Sequence, residues 1–151
     1  MTSKLSKMNQ PYHYTECGLN NVWLKDIYLD EEGDPVIPNL SQLHEEIAKS
    51  LALQKQRLSG GEVRFLRSHI GLSGADFARK VVKVSPETVS RWENNKQLMD
   101  ISTELLLRML VLKEIHYSDY EFEELANIGG KKKPKFEAKF SARSKRWNFA
   151  A

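Results

Sequence analysis

The sequence predicts a mainly α protein: a helix-turn-helix bundle of about five short helices, preceded by a small N-terminal β element and a helix. Three observations predict it. Apolar residues recur at helical spacing from residue 40 onward. Helix start and stop residues punctuate residues 59–100 so closely that only short helices fit. Before residue 38, by contrast, aromatic and β-branched residues cluster between turn residues, as they do in short strands.

The elements follow in order. "MTSKLSKMNQ" is a polar end without the apolar core of a secretory signal. "YHYTECGL" and "NVWLKDIYL" read as strands, "DEEGDP" as a turn and "VIP" as a third short strand. The period then changes. Leu40, Leu43, Ile47 and Leu51, continuing towards Leu58, mark a helix that Asn39 or Ser41 is placed to cap. Residues 1–58 thus form a strand-plus-helix module.

Residues 59–128 form a second module. Val63, Leu66 and Ile70 share one helix face, and Gly71 suits the left-handed position that ends it. Ser73 caps a second helix with Phe77, Ala78 and Val81 inward. Ser85 caps a third, with Pro86 at the first helical position, where the missing N–H is harmless, and Glu87 in the first turn. Val89 and Trp92 then face the core. A longer apolar helix runs from about Ser102 to His116, and "SDYEFEELANI" makes one more short helix. Gly60-Gly61 lets the chain turn into a helix and is no phosphate loop, since no Gly-Lys-Ser/Thr follows.

Residues 129–151 read as a basic tail, with eight Lys/Arg from Lys131 onward against the single acid Glu137. The tail carries +7 and the rest −4, although residues 59–99 form a second basic island at +3. Two basic islands in an otherwise acidic chain point to an anionic partner touched at particular places. No run of about 18 apolar residues is present, which excludes a membrane-spanning helix. Cys17, the single cysteine, has no intrachain partner for a disulfide, and a cytoplasmic location is expected.

A short helix with a sharp start, two large inward anchors and Thr88, Ser90 and Arg91 outward has the design of a DNA-recognition helix. Arginine can grip a guanine edge in two places, and serine or threonine suits bases or phosphates. "GGEVRFLRSHIGLSGADFARKVVKVSPETVSRWENNK" resembles the phage-repressor-like (xenobiotic-response-element) helix-turn-helix family, through an arginine-bearing first helix, Leu72-Ser73, Phe77-Ala78 and Val84 to Glu93. The chain departs from that pattern where Gly74 replaces a glutamine, Lys83 the glycine of the inter-helix turn, and Asn95 the glycine after Trp-Glu-Asn. The layout of a strand-rich module, a helix and then this bundle is similar to the MqsA-type (YgiT-type) antitoxin regulators, whose zinc-binding Cys-x-x-Cys pairs this chain lacks.

The resemblance implies sequence-specific binding to double-stranded DNA by a transcriptional regulator, a repressor of antitoxin-like character. A homodimer is expected because one short helix reads too few bases, and the N-terminal module is expected to grip a toxin-like protein partner or the other subunit. The expected DNA-facing residues are Ser73, Lys83, Ser85, Glu87, Thr88, Ser90, Arg91, Asn94 and Lys96. Arg64 and Arg67 either meet phosphate or pair with Glu93. No cofactor is expected, and no metal, because one thiolate and the scattered His13, His44, His69 and His116 do not make a four-ligand set. No catalytic carboxylate pair or triad stands out, so no enzyme is expected. The rival reading is a protein-interaction scaffold that does not bind DNA, whose basic tail binds RNA or an acidic partner.

Overall fold

A computed structural model describes residues 4–129 and 135–149. It overturns the mainly α expectation. Six helices are accompanied, among the described residues, by two β-sheets of three and four strands. The chain is mixed α/β and divides into two compact units, residues 1–46 with 134–151 and residues 47–133.

The first unit contains both sheets. Strands β1 (Ser6–Lys7), β4 (Tyr28–Leu29) and β5 (Pro35–Val36) form one sheet in the order β1-β4-β5. Strands β2 (Tyr12–His13), β3 (Val22–Lys25), β6 (Phe136–Ser141) and β7 (Arg146–Phe149) form the other in that order. β3 and β6 run parallel, with Leu24 opposite Ala138, and β6 and β7 make an antiparallel hairpin with Phe140 opposite Trp147. The segment expected to be a basic tail therefore supplies half of a sheet. Its period-two pattern is plain in retrospect: Phe136, Ala138, Phe140, Trp147 and Phe149 share one face, while Lys139 and Arg146 alternate with them.

Trp147 anchors this unit. It is 1% exposed, its indole Nε1 donates to the Pro38 carbonyl (2.7 Å), and its backbone exchanges two hydrogen bonds with the Gln42 amide, at 2.5 and 3.2 Å. Val22, Leu24, Ile27, Leu43 and Ala138 fill the surrounding core. Asn39, one of the two residues placed to cap the next helix, adopts φ 48°, accepts the Leu43 N–H on its carbonyl at 3.1 Å and donates its side-chain amide to the Lys145 carbonyl. Helix α1 (Leu40–Leu53) begins in this unit and ends in the other, stopping before Leu58.

The second unit holds α2 (Gly60–His69), α3 (Gly74–Asp76) continuing as a π-helical turn over Phe77–Val82, α4 (Pro86–Glu93), α5 (Ile101–Glu114) and α6 (Phe122–Ala126). The caps explain these bounds. Ser59 and Glu62 form a reciprocal capping box on α2, while Ser73, Ser85 and Asp100 each accept a backbone N–H at the starts of α3, α4 and α5. Gly71, Asn95 and His116 take left-handed backbone just beyond α2, α4 and α5, closing each with a paired turn.

The longer apolar helix expected from about Ser102 to His116 is α5, Ile101–Glu114. Leu107, Val111 and Leu112 are fully buried, while Leu106 and Met109 are 40% and 36% exposed. The same helix buries a charge pair invisible to apolar periodicity. Glu104 accepts from Arg108 at 2.7 Å and from Arg57 at 2.9 Å, and Arg108 also donates to the backbone carbonyls of Ala52, Gln54 and Gln56. That satisfies most of a guanidinium that would otherwise be costly to bury. Burial still pulls the Arg108 pKa below its ordinary value, against the opposing pull of Glu104. Among the described residues, no helix is long and apolar enough to cross a membrane.

Candidate nucleic-acid interface

Helix α4 is fixed on one side and exposed on the other. Val89 and Trp92 are buried at 1% and 5% exposure. Their spacing, with a period of 3.6, turns Glu87, Ser90, Arg91 and Asn94 outward. Glu93, at the end of α4, is buried and takes both forks of an arginine from α2: Arg67 Nε reaches Oε2 at 2.6 Å and Nη2 reaches Oε1 at 3.0 Å. Arg67 Nη1 also donates to the Leu72 carbonyl at 2.7 Å, tying in the link between α2 and α3. Arg64 adds a longer contact to Glu93, 3.2 Å, from a more exposed position. Both arginines are thus engaged with Glu93, the second of the two placements open from sequence.

The backbones also approach closely. A Cβ on Gly60 would lie 2.7 Å from the Trp92 carbonyl oxygen and nearer still to that of Glu93, so only glycine fits. The Gly60 N–H donates to Asn95 Oδ1 at 2.9 Å, so the residue that ends α4 also holds the start of α2.

The exposed side carries a connected row. Ser85 Oγ caps the Thr88 N–H (3.3 Å) and shares a hydrogen bond with Thr88 Oγ1 (2.9 Å). Arg91 Nη2 donates to Thr88 Oγ1 at 3.0 Å, and Arg91 Nε donates to Gln97 Oε1 at 3.1 Å. Asn94 instead folds back, donating to the Ser90 carbonyl at 2.8 Å and to its hydroxyl at 3.3 Å. Glu87 and Lys96 stand exposed beside the row. Ser73 lies outside it, its hydroxyl capping Asp76 N–H at the start of α3.

Lys83 sits in the link before α4 at φ 59°, ψ 45°. The link therefore keeps the left-handed geometry that glycine usually supplies, and a lysine tolerates it at some cost in backbone energy. Gln97 is the member of the row that sequence reading missed. The signal was available: a left-handed Asn95 reverses the chain, and the Gln97 N–H returns to the Arg91 carbonyl at 3.3 Å.

The surface of this region is more basic than its formal charge. Of the acids in residues 59–99, Glu62 and Glu93 are buried. Arg64, Arg79, Lys80, Lys83, Arg91 and Lys96 are all exposed.

Of the residues weighed for metal or nucleophilic chemistry, His13, Cys17 and His44 lie in the first unit and His69 and His116 in the second. Cys17 Sγ donates to the Tyr14 carbonyl at 3.7 Å, and burial pushes its pKa up, which disfavours the reactive thiolate. His13 stacks on Trp23, with ring centroids 4.1 Å apart, and its Nε2 meets the Asn20 carbonyl at 2.7 Å. Tyr14 is hydrogen-bonded to His44 at 2.7 Å, and burial pushes its pKa up to about 12. Asp30, Glu32 and Asp34 bring carboxylate oxygens within 4.8 Å of one another, in an exposed turn where Asp30 Oδ1 already accepts two backbone N–H groups.

No protein-family model matches the chain, and neither a curated protein nor a solved structure matches it.

Proposed function

We propose that this chain binds double-stranded DNA sequence-specifically through α4 and regulates transcription, as a repressor of antitoxin-like character. The observation that carries the reading is the connected row of Ser85, Thr88, Arg91 and Gln97 on the exposed side of a helix whose other side is locked to α2. An α-helix with its side chains is about 10–12 Å across, which fits a major groove about 12 Å wide. The exposed basic side chains around α4 match the phosphates on either side of such a groove.

One short helix reads few bases, so a two-fold pair of chains is part of the proposal. Leu98, Ile101, Leu106 and Met109, all exposed, favour α5 and its approach as the contact between copies. The unit formed by residues 1–46 and 134–151 is left for a protein partner, and a toxin-like protein is the partner that the resemblance implies.

The experiment is selection of bound duplexes from a randomised pool. Enrichment of one sequence with two-fold symmetry supports the proposal. A pool that stays random while the protein still binds duplexes in a salt-dependent way rejects sequence reading and favours the scaffold alternative.

A further inference from the structure

We propose that Gln97 is a positioning residue for Arg91, and that the pair makes one guanine per half-site the base that α4 reads. The inference rests on the DNA-binding reading above and adds a base and a residue to it.

An exposed arginine ordinarily samples many rotamers, and ordering it on binding opposes affinity. Arg91 is ordered beforehand at two points, by Gln97 Oε1 on Nε and by Thr88 Oγ1 on Nη2. Thr88 is itself held by the Ser85 hydroxyl that caps the helix. Gln97 is held by the backbone, because the left-handed Asn95 returns the Gln97 N–H to the Arg91 carbonyl. The guanidinium therefore has a fixed plane set by the start and the end of α4.

Two of its five N–H groups are used, and both on Nη1 and one on Nη2 remain for a two-point contact along the Nη1–Nη2 edge. A planar fork in fixed orientation matches the O6 and N7 acceptors of guanine, whereas a phosphate gains little from a fixed plane because it accepts from many directions. The neighbouring polar pair does not compete for that role, since Asn94 is turned onto Ser90.

The test uses the full chain and the duplex that the wild-type protein selects from a randomised pool. Gln97→Ala is expected to stay folded and to lose about tenfold in affinity for that duplex, with the loss confined to one base position per half-site. Its affinity for scrambled duplex should be unchanged. Gln97→Glu retains an acceptor for Arg91 and should restore the preference at that position, with weaker overall binding from the added negative charge. Arg91→Ala combined with Gln97→Ala should discriminate no less than Arg91→Ala alone, because the second change then has nothing left to position.

Full discrimination by Gln97→Ala would overturn the inference, as would equal loss on every duplex, which marks a direct phosphate contact. If the wild-type protein selects no sequence, the DNA-reading proposal fails and this one falls with it. Discrimination by the wild type that survives in Gln97→Ala removes this inference alone.

Discussion

Arg67 grips Glu93 through two hydrogen bonds, 2.6 and 3.0 Å long, joining the second half of α2 to the last residue of α4. Glu93 is 8% exposed, and breaking a largely buried ion pair from one side leaves the other charge uncompensated. Glu93→Ala is expected to destabilise the second unit by about 3 kcal/mol. Arg64→Ala removes only the more exposed of the two partners and should cost less than about 1 kcal/mol. Thermal melting of both variants checks the contrast, and an Arg64→Ala loss as large as that of Glu93→Ala would mean that Arg64 rather than Arg67 carries the pair.

Lys83 separates stability from binding. Glycine at φ 59° relieves the left-handed cost of a side chain but gives the unfolded chain more freedom. Lys83→Gly should gain about 0.5–1 kcal/mol in stability. If Lys83 meets a phosphate, the same change weakens binding to all duplexes alike and lowers the slope of log affinity against log salt by about 1. Melting and salt-dependent titration on one variant give both answers.

Asp100 carries a pH dependence. The Thr103 hydroxyl, at 2.7 Å, and the Thr103 N–H, at 3.1 Å, donate to its carboxylate and hold its pKa below the usual 3.8. A depressed folded-state pKa gives stability that is present above the unfolded value and is lost as pH falls through the folded one. Asp100→Ala should therefore cost about 1 kcal/mol at neutral pH. The gap from wild type should close on acidification below about pH 4. A gap that persists undiminished at low pH would show that the charged carboxylate is not what caps α5.

Trp147 tests the correction at the C-terminus. Its ring is buried and its indole N–H, backbone N–H and carbonyl all have partners. Trp147→Ala should cost roughly 3–5 kcal/mol. Hydrogen exchange should quicken across β3, β6 and β7 while α2 and α4 stay protected. Unchanged exchange in β6 would contradict the hairpin. Removing residues 131–151 would strip two strands from a sheet. Arg143→Ala therefore probes contact of this segment with an anionic partner more cleanly than truncation does.

Much of the second unit was legible because its signals are local. Ser73 and Ser85 announce helix starts through hydrogen bonds spanning three residues, and Gly71 announces an end in the same way. The first unit was misread because its decisive pairings are distant in sequence. β3 finds β6 more than a hundred residues later, and nothing near Phe136 says that Val22 is its neighbour. The charges around Phe136, Phe140 and Trp147 hid a two-residue period under the appearance of a solvated end. Within the site, Thr88 and Arg91 followed from helical period. Gln97 required seeing that a chain reversal carries residue 97 back beside residue 91.

The central claim, that the exposed side of α4 reads DNA sequence, is tested most directly by titrating Arg91→Ala against the selected duplex and a scrambled one, with thermal melting alongside. Arg91 is exposed and its removal opens no cavity, so the variant should melt within about 0.5 kcal/mol of wild type. It should lose about 1–3 kcal/mol on the selected duplex and far less on the scrambled one. A folded Arg91→Ala protein that binds both duplexes as the wild type does would contradict the claim.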